Sequence, residues 1–340
     1  MRRLTLSVLL ATAALPAFAD APRVVTDIAP VHSLVSQVMA GVGTPDLLLD
    51  GSADPHSVQL KPSQARAVSQ ADLVVWVGEE LEPWLARVLA GLGDGQSMAL
   101  LDLPGTQLRS FDEASSHDHD HAEHAHEGDD HADADHAEHE GDDHAGHDHA
   151  EHEHEGHDHA GDDHGHDHSG VDPHAWLAPA NAQAWLIALA EELGALDPEN
   201  AATYTANADA AAAAIGVQSQ EIAARLAPYE GAEIVTFHDA FSYFTDSYGI
   251  EVLGSVRPGD ASTPSAAAVD ALREAVAEHG VTCAFGEPNH DPAMLETLAS
   301  EAGLTVGTLD ATGALLSAGP ELYGAMMDNL ATALEGCLSR

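Results

Sequence analysis

The chain has 340 residues, with 57 acidic side chains against 11 Lys and Arg, and a formal net charge of −46 at pH 7. This length allows two domains of ordinary size, and an apolar content of 44% is enough for a buried core. Because an acidic body repels phosphate backbones and anionic lipids, nucleic acid and membrane surfaces are poor partners and cations are good ones.

Residues 1–19 have the pattern of a secretory signal peptide. Arg2 and Arg3 precede an apolar run from Leu4 to Leu15, and the cleavage site ends at Ala19. The run is too short to span a bilayer as a mature helix, and no later segment approaches 18 apolar residues. We therefore expect export, removal of the peptide near Ala19 and no direct membrane insertion; a buried N-terminal helix is the alternative.

The first half of the chain alternates strand-like and helix-like segments. The predicted strands are Arg23–Ile28, Leu47–Leu49, Leu73–Val77 and Met98–Leu103, and the predicted helices are residues 30–40, 61–70 and 82–90. The run Leu73–Val77 is continuously apolar, which is typical of a strand covered on both faces. This β-α-β-α order predicts a parallel sheet with helices on both of its faces.

The pattern is interrupted by a tract from His117 to His168 that holds 18 of the 24 histidines and 20 acidic residues, with no Lys or Arg. Such a segment buries too little apolar surface to offset the entropy of ordering, so we expect a disordered loop over residues 112–170. Its closely spaced imidazoles and carboxylates predict many weak metal sites that lose affinity as the pH falls toward 6. A solvated loop without function is the alternative.

Alternation resumes after the tract. The predicted helices are residues 180–194, Pro198–Leu226, 264–279, 292–302 and 320–336, and the predicted strands are Glu233–Phe237, Glu251–Val256, Thr282–Phe285 and Leu304–Leu309. We expect an α/β protein with two lobes, each a parallel sheet flanked by helices, and a ligand site in the cleft between them. The N-terminal lobe would cover residues 20–197, one long linker helix residues 198–227, and the C-terminal lobe residues 228–340.

The chain has two cysteines, Cys283 and Cys337. In an exported protein a pair of thiols usually forms a disulfide. A pair of thiolate metal ligands is the alternative, although neither cysteine has another cysteine or a histidine at ligand spacing.

Six histidines lie outside the tract, and three of them follow strands or precede the return of regular structure. His56 follows a short strand, His238 ends a strand, and His174 comes directly after the tract. In open parallel sheets, ligands bind beyond the carboxyl ends of the strands, so these side chains could meet in the cleft with Asp310, which ends another strand. Three imidazoles and a carboxylate suit zinc, but the spacing alone does not establish a site.

Five motifs of the chain resemble the metal-binding proteins that supply ABC importers of zinc and manganese. They are residues 51–56 (GSADPH), 60–63 (LKPS), 172–177 (DPHAWL), 236–241 (TFHDAF) and 307–310 (GTLD). The resemblance implies that His56, His174 and His238 are metal ligands. Manganese members typically have Glu where His238 stands, which favours Zn²⁺ as the ligand. Pro55 replaces an acid of some zinc members, so the fourth ligand would be Asp310 or water.

The resemblance also implies a role for the remaining residues and partners. A periplasmic, monomeric protein would capture zinc and deliver it to an inner-membrane ABC permease, with the acidic loop as a zinc buffer and a disulfide between Cys283 and Cys337. From their positions, Glu287 and His290 would support the site or have a structural role, with direct ligation as the alternative. His32 would have a surface or capping role near a strand end, with support of the site as the alternative, and His279 would suit the end of a helix without a function.

Two other functions compete with this expectation. A zinc hydrolase could use three histidines and an open position to activate water, but the chain contains no HEXXH motif. A metal buffer would use the tract alone. The expectation is therefore a binding protein and not an enzyme.

Overall fold

The computed structural model describes residues 21–51, 53–92, 97–111, 170–257, 259 and 264–340. The first half contains β1 (Val24–Thr26), α1 (Ala29–Val38), β2 (Asp46–Leu47), α2 (Pro62–Gln70), β3 (Leu73–Trp76), α3 (Pro83–Leu92), β4 (Ser97–Ala99) and α4 (Pro179–Leu196). The second half contains α5 (Ala201–Leu226), β5 (Glu233–His238), α6 (Ser242–Ser247), β6 (Glu251–Arg257), α7 (Ala266–His279), β7 (Cys283–Gly286), α8 (Ala293–Ala302), β8 (Thr305–Thr308) and α9 (Leu322–Leu338). The predicted signal peptide and nearly all of the acidic loop lie outside the described residues.

Both halves form a four-stranded sheet with the same order of strands. The orders are β2-β1-β3-β4 and β6-β5-β7-β8, and every pair of neighbouring strands is parallel. In each sheet the second strand pairs on one side of the first and the third strand on the other, which creates a switch point where ligands commonly bind. The predicted α/β class with two helix-flanked parallel sheets is confirmed. The short helix α6 was not predicted.

The long helix α5 begins three residues later than the sequence pattern indicates. Asp197 directly follows α4, and its carboxylate accepts hydrogen bonds from the Asn200 side chain at 2.7 Å and the Tyr204 hydroxyl at 2.9 Å, so a turn occupies residues 198–200. The predicted apolar stripe is confirmed as the buried face. It consists of Tyr204, Ala208, Ala211, Ile215, Ile222 and Leu226. The helix packs on α1 and α4 and also on α9; the division at residues 198 and 227 stays a prediction.

Hydrogen bonds connect the two halves beneath the carboxyl ends of the sheets. The indole of Trp176 donates to the carbonyl of Ala311 at 2.7 Å, and the hydroxyl of Tyr323 donates to the carbonyl of Trp176 at 3.0 Å. The backbone N–H of Tyr323 donates to the Ser33 hydroxyl at 3.0 Å. Trp176 and Tyr323 are both buried in a core that includes residues of both halves. The two halves therefore pack tightly against each other at the bottom of the cleft.

Cys283 in β7 and Cys337 in α9 form a disulfide, with their Cα atoms 6.0 Å apart. The expected disulfide is confirmed, and the alternative of two thiolate metal ligands is excluded. The bond joins the strand that leads to Glu287 to the last helix of the chain. Within the described residues, no helix is both long enough and apolar enough to cross a membrane.

A buried pair of carboxyl groups lies at the switch point of the first sheet. The two oxygens of Asp27 accept the backbone N–H groups of Ile28 and Val77, each at 2.6 Å, and so connect the ends of β1 and β3. Burial raises the pKa of Asp27 to about 6. Burial and the negative charge of Asp27 together raise the pKa of Glu82 well above its ordinary value. Glu82 therefore keeps its proton to a higher pH than an ordinary glutamate.

We expect Glu82→Gln to stabilise the fold, and to do so more at pH 8 than at pH 5. The folded chain holds a proton on Glu82 that the unfolded chain releases above a pKa of about 4.3, so the wild-type protein loses stability as the pH rises through the folded pKa. The glutamine side chain of the variant cannot ionise and keeps a donor for Asp27. Thermal unfolding at the two pH values measures the difference. Glu79→Gln, at an exposed neighbouring position, is the control. An effect of Glu82→Gln on stability that is equal at both pH values would contradict this account.

Candidate metal centre

Three predicted residues, His56, His174 and His238, meet beyond the carboxyl ends of the two sheets. Their ring centroids are 5.4 Å apart for His56 and His174, 5.4 Å for His56 and His238, and 4.9 Å for His174 and His238. One potential ligand nitrogen of each ring lies within 4.8 Å of the others. In a tetrahedral zinc site these nitrogens are about 3.3 Å apart, so small side-chain rotations would bring all three onto one ion.

The loop after β2 positions His56 through a local turn. The Asp54 carboxylate accepts the backbone N–H of His56 at 3.0 Å and the Ser57 hydroxyl at 3.3 Å. Between them Pro55 fixes its own backbone φ angle, and its carbonyl accepts the indole N–H of Trp84 at 2.8 Å. The ring of His56 is thus carried by a rigid turn that is anchored to α3.

The same tripeptide, Asp-Pro-His, positions His174. The Asp172 carboxylate accepts the backbone N–H of His174 at 2.9 Å, as Asp54 does for His56. Asp172 also lies 2.7 Å from Nδ1 of the His174 ring. When Nδ1 donates to the carboxylate, Nε2 carries the lone pair that a metal requires. The repeated tripeptide was visible in the sequence, but its turn geometry and this orienting contact were not predicted.

His238 is the last residue of β5 and is 5% exposed. The strand is central in its sheet, between β6 and β7. A central strand cannot shift without breaking hydrogen bonds on both sides, so the position of the His238 ring is set by the sheet. Two of the three rings therefore come from turns and one from a strand end.

The electrostatic environment favours neutral imidazoles. Burial, and then the neighbouring histidines, lower the pKa of His56 and His174 well below the ordinary value. Both rings are neutral at pH 7, so a metal does not have to displace protons from them. Burial raises the pKa of Asp172 to about 7, and a cation bound to His174 would favour the ionised carboxylate.

The three rings line a cavity of about 30 Å³. That volume is enough for a single ion or water molecule and too small for an organic substrate. Gly51 and Asn289 close its rim, because the Asn289 amide donates to the Gly51 carbonyl at 2.7 Å. A Cβ atom at Gly51 would lie 2.7 Å from the Cα of Ala314, so only glycine fits this contact between the halves.

Asp310 lies on the cavity wall, but its carboxylate makes other contacts. One oxygen accepts the backbone N–H of Ala314 and the other that of Leu315, both at 2.9 Å. Among the described residues, Asp310 is not in the group whose ligand atoms lie within 4.8 Å of the three histidines. These hydrogen bonds stabilise the turn after β8. The role of Asp310 as a metal ligand stays a prediction.

Glu287 and His290 line the same cavity and lie beside His238. The Glu287 carboxylate is 3.5 Å from Nδ1 of His238, and the ring centroids of His238 and His290 are 5.8 Å apart. His290 also packs on Phe237 at 5.0 Å. The sequence placed both residues near the cleft, as found, but gave no indication that they contact His238.

The other two histidines lie elsewhere. His32 is 8% exposed and lies inside α1, where Nε2 is 3.2 Å from the carbonyl of Pro45. It is buried and not at the surface, because the loop before β2 folds over α1. His279 ends α7 as expected and pairs with Glu233 at 2.9 Å.

The described residues on either side of the acidic tract pair with each other close to His174. Ser110 and Val171 form an antiparallel bridge, and Asp172 donates its backbone N–H to the carbonyl of Arg109 at 2.9 Å. The hydroxyl of Tyr243 donates to the carbonyl of Asp172 at 3.0 Å. The described chain before and after the tract is therefore paired only a few residues before a predicted metal ligand.

Comparisons with known proteins agree on one family. A profile described as "ZnuA: Zinc-uptake complex component A periplasmic" matches residues 24–337. The "High-affinity zinc uptake system protein ZnuA" of Paracoccus denitrificans is 50% identical over 337 residues, which cover 98% of this chain and 97% of that protein. The protein of the same name from Brucella suis is 39% identical over 319 residues, covering 93% and 92%. A structure described as "Crystal structure of ZnuA" has a TM-score of 0.68 at 22% identity, covers 94% of this chain and 99% of its own, and supports the fold alone.

Proposed function

The chain belongs to the ZnuA family of periplasmic zinc-uptake components, and on that premise we propose that it binds Zn²⁺ at His56, His174 and His238. It is the zinc-binding protein of an ABC importer, and its fold has the two parallel sheets of that class. We further propose that the signal peptide is removed near Ala19, that the mature chain is monomeric, and that it delivers zinc to a permease in the inner membrane.

The meeting of three imidazoles in a cavity of ionic size is the observation that carries this proposal. Imidazole nitrogens suit zinc, whereas sites for manganese or magnesium usually offer mainly oxygen ligands. The cavity holds no room for a substrate beside the ion, which supports transport over hydrolysis. A water molecule, Glu287 or Asp310 would complete the tetrahedron.

The preference for Zn²⁺ over Mn²⁺ directly tests whether three imidazoles form the site. We expect the full chain to bind one Zn²⁺ ion tightly and Mn²⁺ at least about a hundredfold more weakly, because the order of affinities for nitrogen ligands places manganese lowest. Competition with a chelator of known affinity measures both metals at pH 7.5. Equal affinity for manganese and zinc would contradict a site with three imidazoles.

We propose that the tract collects zinc in the solution around the site. Its 18 histidines alternate with carboxylates, and the flanking residues Ser110 and Val171 pair beside Asp172. Weak sites on a tether raise the concentration of zinc near the cleft, but the final selective binding needs preorganised ligands.

Deletion of residues 117–168 should leave one tight zinc site and remove several weaker ones. The three cleft histidines lie outside the deleted segment, and Ser110 and Val171 on its two sides already pair with each other. Calorimetric titration of the deleted and full chains with zinc gives the number of ions in each class. Loss of the tight site in a folded deletion variant would instead support the metal buffer, in which the tract is the whole function.

A further inference from the structure

A second group of potential metal ligands lies beside the three histidines. Ligand atoms of His238, Glu287 and His290 lie within 4.8 Å of one another. Nδ1 of His238 is 3.5 Å from Oε1 of Glu287, so the carboxylate faces the shared ring directly. Two imidazoles and one carboxylate are a common zinc donor set. The two groups have one residue in common, His238.

The two groups differ in their access to solvent. In the first group, His174 is 2% exposed and His56 is partly exposed. In the second group, Glu287 and His290 are both partly exposed, and the neighbouring Asp291 is exposed. An ion held by the second group would therefore lie nearer to the surface than an ion held by the first.

From this arrangement we propose that His238, Glu287 and His290 form a second zinc position, through which the ion enters and leaves the first. The inference rests on the proposed function of His56, His174 and His238. Residues of both groups line the same cavity of about 30 Å³, and two dications at such short distance would repel strongly. One ion therefore occupies one position at a time and exchanges ligands around His238.

A purely supporting role for Glu287 and His290 has a different signature. A carboxylate beside a ligating histidine orients the ring, and the loss of such a partner typically lowers metal affinity about 10- to 100-fold. An entry position instead changes the rates of uptake and release together and leaves the equilibrium affinity nearly constant. Kinetics and occupancy therefore separate the two roles.

Occupancy is tested in crystals of the full chain that carries His56→Ala and His174→Ala, grown with zinc chloride. We expect an anomalous peak at the zinc edge between His238, Glu287 and His290, and its loss when His290→Phe is added. Near-UV circular dichroism checks that each variant is folded. Absence of the peak in the folded double variant overturns the inference. Wild-type crystals separate this failure from failure of the proposed function, which would remove the peak at His56 and His174.

Kinetics are tested with His290→Phe in the otherwise unchanged full chain. Phenylalanine keeps a ring against Phe237 but removes the ligand nitrogen. We expect zinc affinity to stay within about threefold, while the rates of uptake and of release to a chelator both fall about tenfold. His279→Phe, far from the cleft at the end of α7, is the matched control. Unchanged rates, or a loss of affinity with an unchanged uptake rate, would overturn the inference.

Discussion

Replacement of His238 by alanine should lower zinc affinity at least a hundredfold, which exceeds the usual effect of about 10- to 100-fold for losing an outer-shell partner. His238 belongs to both groups of ligands, so its loss removes one of the three proposed ligands and also breaks the second position. The ring is 5% exposed at the end of a central strand, so its position is set by the sheet.

The measurement is competition with a high-affinity chelator, in parallel with His279→Ala. His279 pairs with Glu233 on the surface and touches none of the proposed ligands, so its variant should bind zinc like the wild type. Full-length chains are used for both, because the tract contributes the same weak sites to each. Affinity in the His238 variant within about threefold of the control would refute the assignment of the three-histidine site.

Loss of the disulfide should lower the free energy of unfolding by about 4 kcal/mol in the chain-entropy account. The bond closes a long loop, with a sequence separation of 54 residues between Cys283 and Cys337. Without the bond, the conformational entropy of the unfolded chain is higher, which favours unfolding. The bond also joins β7 to α9, and both elements lie in the half that carries Glu287.

Urea unfolding of the double variant Cys283→Ser/Cys337→Ser, compared with oxidised and reduced wild type, measures this contribution. The variant and the reduced protein should unfold at the same lower urea concentration. Zinc affinity below the transition should change little, because neither cysteine contacts the proposed ligands. A change in unfolding free energy under about 1 kcal/mol would mean that the bond does not restrain the unfolded chain.

The sequence was sufficient for the fold because its apolar periodicity reports burial. The stripe from Tyr204 to Leu226 is the buried face of α5, and the apolar run at residues 73–77 is a central strand. The predicted ends of helices are wrong where a polar side-chain contact determines them. The side chain of Asp197 stabilises the turn that delays α5, and such a contact leaves no periodic signal.

The candidate site was only partly predictable for the same reason. Position along the chain nominated His56, His174 and His238, and the resemblance implied that they are metal ligands. The sequence did not reveal that Asp310 accepts two backbone N–H groups, or that Glu287 faces His238. Both depend on the directions of side chains in loops, which residue spacing does not determine.

The central claim is that one zinc ion binds between His56, His174 and His238. A crystal structure of the wild-type chain with zinc, with anomalous scattering recorded on both sides of the zinc edge, tests it most directly. We expect a strong anomalous peak about 2.0–2.1 Å from one nitrogen of each of the three rings. The absence of a zinc peak at this position, in crystals whose zinc content is confirmed, would contradict the account.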